Sequence, residues 1–116
     1  MRILMVALAV TLLAGCAGSA MNDARTKAPY KTLNSDKPGK DVAQCVQFSW
    51  QDEAVFGVDA AAYLEPGEKG VTTVYTRSAE SFVDVTTDAS GTVLSYYAQK
   101  DDFVAKRRLA ALATCL

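Results

Sequence analysis

Residues 80–98, ESFVDVTTDASGTVLSYYA, decide the fold. From Glu80 to Thr87 the side chains alternate, with Val83 and Val85 on one face and Phe82 and Asp84 on the other. That period of two belongs to a strand with two different environments. Asp88-Ala89-Ser90-Gly91 supplies the residues of a tight turn, and Thr92 to Ala98 then resumes a strand containing Leu94, Tyr96 and Tyr97. So short a connection leaves only the antiparallel arrangement.

Working outward, Gly70 to Arg77 is rich in Val, Thr and Tyr and reads as another strand. Ala60 to Leu64 gives a short one before the turn signal Glu65-Pro66-Gly67-Glu68. A helix precedes them at about residues 41–55. Asp41 and Gln44 form a capping box at its start, and Val42, Cys45, Val46, Ser49 and Trp50 recur at helical spacing before Asp52, Glu53 and Gly57 end it. A second helix starts at Asp101 or Asp102, with Val104, Ala111, Leu112 and Cys115 along one stripe. The expected fold is α+β: helix, three- to four-stranded antiparallel sheet, helix, with both helices on one face and the domain spanning residues 41–116.

The chain opens differently. MRILMVALAVTLLAG, residues 1–15, has one charge at Arg2 and an apolar run from Ile3 to Ala14. A membrane-crossing helix needs about 20 apolar residues, so this run reads as a secretory signal peptide. Its end, Leu13-Ala14-Gly15-Cys16, resembles the lipobox of bacterial lipoprotein precursors. The resemblance implies a diacylglyceryl group on the Cys16 thiol, cleavage between Gly15 and Cys16, and a membrane partner held through lipid. Several acyl chains, each giving about 0.8 kcal/mol per buried methylene, make such an anchor stable. Ala17, standing where inner-membrane retention signals typically have Asp, points by the same resemblance to the outer membrane's inner leaflet, facing the periplasm.

Residues 16–40 then read as the lipidated cysteine and a disordered tether. Gly, Ser, Asn, Lys and the prolines Pro29 and Pro38 dominate it, with no apolar period. As a flexible chain it would span roughly 25–30 Å. Charge divides along the same boundary: residues 17–40 balance at +3 and residues 41–116 at −5, within a net charge of −1. A basic tether beside an anionic bilayer is electrostatically sensible, and nothing forms the broad basic surface of a nucleic-acid binder.

With Cys16 committed to lipid, Cys45 and Cys115 remain in an oxidising compartment. A disulfide between them would staple the two helices, worth about 4 kcal/mol by chain entropy in a domain small enough to need it. The alternative is a pair of thiols buried on apolar faces. Their spacing is unlike the C-x-x-C of a redox site.

The sequence offers little catalytic chemistry. It has no histidine, which removes Ser-His-Asp and Cys-His arrangements. Asp52, Glu53, Asp101 and Asp102 are the carboxylates from which an acid–base pair would have to come, though acids at helix ends commonly cap or are solvated. Gly67 and Gly70 belong to no phosphate-binding loop, and neither metal ligation nor a cofactor is expected. Lys106-Arg107-Arg108 is the densest basic cluster and the candidate surface for an acidic partner such as an envelope protein, a phosphate-bearing lipid or a cell-wall polymer. The alternative is simply the exposed face of a helix. Phe48, Trp50 and Phe56 are candidates for a ligand pocket, with Trp50 at core spacing.

The VAQCV run at residues 42–46 with Trp50, the Ser95-Tyr96-Tyr97 strand and Cys115 together resemble a group of small proteobacterial lipoproteins of uncharacterised function. That resemblance carries no activity or site residues. The functional expectation is a membrane-anchored envelope lipoprotein acting as a non-enzymatic binding or scaffolding module. The alternatives are a small carboxylate-dependent envelope hydrolase and a purely structural lipoprotein.

Overall fold

A computed structural model describes residues 18–116. Residues 18–25 form a helix (α1). It is followed by β1 (Lys31–Ser35), α2 (Gly39–Asp52), a 3-10 turn (Glu53–Phe56), β2 (Ala62–Pro66), β3 (Val71–Thr76), β4 (Ser81–Asp88), β5 (Gly91–Ala98) and α3 (Phe103–Ala113). The expected α+β class holds, with five strands where three or four were expected. All neighbours are antiparallel and the sheet order is β1-β5-β4-β3-β2.

The β4–β5 hairpin is built as its sequence dictates. Asp88 pairs directly with Gly91, leaving Ala89 and Ser90 as the loop. The Asp88 carboxylate accepts from the Ser90 backbone N–H at 2.8 Å, an Asx turn, and Gly91 adopts φ 132°. Val83, Val85, Leu94 and Tyr96 point to the face covered by α2 and α3, where they join Val42, Ala43, Val46, Trp50 and Leu112 in the main core. Phe82 points to the opposite face, beneath Met21 of α1. The sheet therefore lies between two layers of helix.

The additional strand comes from the stretch read as a tether. Lys31–Ser35 pairs with the outer edge of β5, placing Leu33 opposite Leu94. Lys31, Thr32 and Asn34 are exposed, so only Leu33 and Ser35 lean on the core and no alternation of apolar residues marks the strand. Backbone pairing holds it, helped by the Thr92 hydroxyl donating to the Lys37 carbonyl at 2.8 Å. The α1 segment was equally unmarked, because the apolar residues it packs on the sheet are small apart from Met21.

Two helix starts also differ in detail. α2 begins at Gly39, with the Pro38 carbonyl accepting from the N–H groups of Asp41 and Val42. Asp41 makes no cap and sits in the first turn, where its charge suits the helix dipole. Gly39 is required by a close approach, since a Cβ there would run into the Thr87 hydroxyl. For α3 the structure selects Asp102, whose carboxylate accepts from the Ala105 N–H at 2.9 Å. Asp101 instead accepts from the Tyr30 hydroxyl at 2.6 Å.

Cys45 and Cys115 are disulfide-bonded, with Cα atoms 5.7 Å apart. The bond ties the middle of α2 to the residues just past α3. Further along the same interface, the buried Trp50 indole N–H donates to the Arg108 carbonyl at 2.9 Å. Tyr96 lies edge-on to Trp50 and donates its hydroxyl to the Ala105 carbonyl at 2.8 Å. Burial pushes the Tyr96 pKa up to about 12, which keeps that donor protonated. Among the described residues, no helix is long and apolar enough to cross a membrane.

Candidate functional site

The sheet face away from α2 and α3 carries four aromatic residues in register. Tyr63, Tyr75, Phe82 and Tyr97 lie on four successive strands and are direct cross-strand partners. The Tyr63 and Tyr75 rings are tilted with centroids 5.3 Å apart, and Phe82 stacks on Tyr97 at 4.7 Å. Such cross-strand aromatic pairs stabilise a sheet and leave a continuous apolar strip. α1 covers its middle: Phe82 is 2 % exposed, while Tyr63 remains 45 % exposed.

Asp84 follows Phe82 by two residues and so shares its face; its cross-strand partner is Thr73. The Thr73 hydroxyl donates to Asp84 Oδ1 at 2.7 Å. Onto this pair α1 lowers Arg25. Its Nε donates to Oδ2 at 2.7 Å and its Nη2 to Oδ1 at 2.8 Å, a two-pronged contact, with Nη2 also 3.2 Å from the Thr73 hydroxyl. Nη1 donates to the Asn22 side-chain carbonyl at 3.1 Å, and the guanidinium carbon lies 5.2 Å from the Phe82 ring centroid. The Asp84 hydrogen bonds raise the Arg25 pKa above its ordinary value. Fork-to-fork pairing with an aromatic ring alongside is a geometry that suits guanidinium far better than ammonium.

α1 leaves open ground on both flanks. A groove of about 480 Å³ runs between α1 and the end of β5, lined by Asp23, Lys27, Tyr30, Tyr97 and Gln99 among others. A smaller one on the far side reaches Asn22, Glu65 and Thr73. Asp84→Ala is expected to loosen α1 while the stapled core stays folded. Loss of a charge-assisted pair worth about 1.4 kcal/mol corresponds to a roughly tenfold rise in local opening. Limited trypsin digestion should then cut after Arg25 and Lys27 about ten times faster. An unchanged rate would mean that this pair does not hold the helix.

The residues singled out from the sequence lie elsewhere. Lys106, Arg107 and Arg108 do not present one basic surface: of the three only Lys106 is exposed. Arg107 binds Glu53 Oε2 through Nη2 at 2.6 Å and through Nε at 2.9 Å, and it lies 4.0 Å from the Phe56 ring centroid. Arg108 is 2 % exposed. Its Nη2 donates to the Asp59 carbonyl at 3.0 Å, and no described residue accepts from its Nε or Nη1. Burial lowers its pKa. Asp52 is exposed at the end of α2, Glu53 is buried against Arg107, and Asp101 and Asp102 hold Tyr30 and the α3 N-terminus. Three of the carboxylates thus serve separate contacts and Asp52 stands in solvent. Phe48 is exposed on the outer side of α2 and Phe56 packs under Arg107, whereas Trp50 is core, so these three form no common pocket. Among the described residues, no three His, Cys, Asp or Glu side chains gather to hold a metal ion. Leu13, Ala14, Gly15 and Cys16 lie outside the described residues.

Arg25, Thr73 and Asp84 were not singled out from the sequence. A signal existed for one of them: alternation puts Asp84 on the same face as Phe82, where a carboxylate requires a partner. Comparison with family models, with curated proteins and with solved structures found no match.

Proposed function

We propose that the chain is a lipid-anchored binding module of the bacterial envelope, attached through Cys16 at the outer membrane's inner leaflet and performing no catalysis of its own. The observation that carries this reading is Leu13-Ala14-Gly15-Cys16 at the end of a short apolar run with Arg2 before it. The Cys45–Cys115 bond is in keeping with an oxidising compartment. The aromatic strip supplies the surface for binding, since rings of this kind are enriched where proteins meet partners.

The position of α1 alters what anchoring would mean. Only Ala17 separates Cys16 from Gly18, about 7 Å of chain at full extension. The strip and its flanking grooves would therefore lie close to the bilayer, with no long tether between.

Mass spectrometry of the mature N-terminus tests the anchor. The expected species begins at Cys16 and carries a diacylglyceryl thioether. Cys16→Ala should move the protein out of the membrane pellet. An unmodified Cys16, or a mature chain starting elsewhere, overturns the proposal.

A further inference from the structure

The geometry points to the Asp84 cradle as a recognition site for an arginine-bearing helix of another protein, with α1 as its removable intramolecular occupant. This names the partner class for the binding module and rests on that reading.

α1 shows what the cradle accepts. Met21 inserts over Phe82, and Arg25, one helical turn on, reaches Asp84 and Thr73. The recognised pattern is an apolar residue followed four positions later by arginine, presented on one helix face. Each contact is specific to that cargo: two carboxylate oxygens for the fork, a hydroxyl beside them and a ring alongside. A lysine would forfeit the second prong of the carboxylate contact.

α1 is also poorly suited to permanence. Gly18, Ser19, Asn22 and Asp23 are weak helix formers, so tertiary contacts rather than propensity hold this stretch helical. The main core is closed by α2, α3 and the disulfide on the other side of the sheet and does not include α1. Tyr63 stays exposed and Tyr97 lines the groove beside α1, so an incoming helix could reach aromatic surface that α1 leaves open. A departing α1 would take from Asp84 the guanidinium that now pairs with it, leaving an acidic group beside an aromatic strip, a combination that suits another arginine. Because the occupant is tethered, its effective concentration is about millimolar, and an outside helix must compete with it.

The test is fluorescence anisotropy of a labelled peptide with the sequence of residues 18–30, added to the full chain in detergent. The Arg25→Ala chain is expected to bind this peptide at least tenfold more tightly than the unaltered chain. Adding Asp84→Ala should abolish the gain, and a peptide with lysine in place of its arginine should bind at least tenfold more weakly. Near-ultraviolet circular dichroism checks that the variants keep their packing; if Arg25→Ala does not, Met21→Ala opens the same face without touching the cradle. Equal binding by the opened and unaltered chains, or binding that survives Asp84→Ala, overturns the inference. Lipid on Cys16 does not enter this measurement, so its absence would defeat the envelope reading alone, and a failed peptide assay would defeat this one alone.

Discussion

Reduction of the Cys45–Cys115 bond should lower the unfolding free energy by about 4 kcal/mol. The bond closes a sequence separation of 70 residues, so its removal returns considerable freedom to the unfolded chain. A domain of this size has about 5–15 kcal/mol in total, and each kcal/mol moves its midpoint by roughly 4–8 °C. Calorimetry with and without reductant should therefore show a fall of about 15–30 °C. Cys45→Ala with Cys115→Ala should reproduce it without reductant. Midpoints within about 3 °C of each other would show that the helices are held by packing alone.

Trp50→Ala should cost about 3–5 kcal/mol. The indole is fully buried between α2, α3 and the sheet, edge-on to Tyr96, and its loss leaves a cavity that the surrounding strands cannot close. It also orphans the Arg108 carbonyl, which adds about 1 kcal/mol. Trp50→Phe separates the two effects, because it keeps a ring and loses the donor. Urea unfolding followed by far-ultraviolet circular dichroism measures both variants. A Trp50→Ala penalty below about 1 kcal/mol would contradict the core described above, and combination with reduction should leave the chain unfolded at room temperature.

What the sequence revealed depended on whether side chains or backbone held each element. The β4–β5 hairpin was legible because Val83 and Val85 face the main core while Phe82 and Asp84 face the strip, and because Asp88 and Gly91 are turn residues. α2 and α3 were legible from their apolar spacing, and the disulfide from cysteine parity once Cys16 was set apart. β1 was not, because an edge strand with three exposed polar residues is held by hydrogen bonds that any sequence can make. The Asp84 site was hidden for another reason: its cation comes from 59 residues away on a helix without a pattern. The Lys106-Arg107-Arg108 cluster misled in a way that geometry explains. Consecutive helical residues point about 100° apart, so three in a row cannot share a face. Arg107 turned to Glu53, Arg108 went inside, and Lys106 alone stayed outside.

The disulfide also makes residues 45–115 a covalent ring. Strands β2 to β5 and α3 lie within it, whereas α1, β1 and the first turns of α2 form a tail attached at Cys45. A protease that nicks any loop of the ring leaves both pieces joined until the bond is reduced. A cut in the connector at residues 26–30 is different in kind, for it severs α1 and everything before it while leaving the ring whole. In an anchored protein, a single cleavage there would turn a membrane-bound domain into a diffusing one.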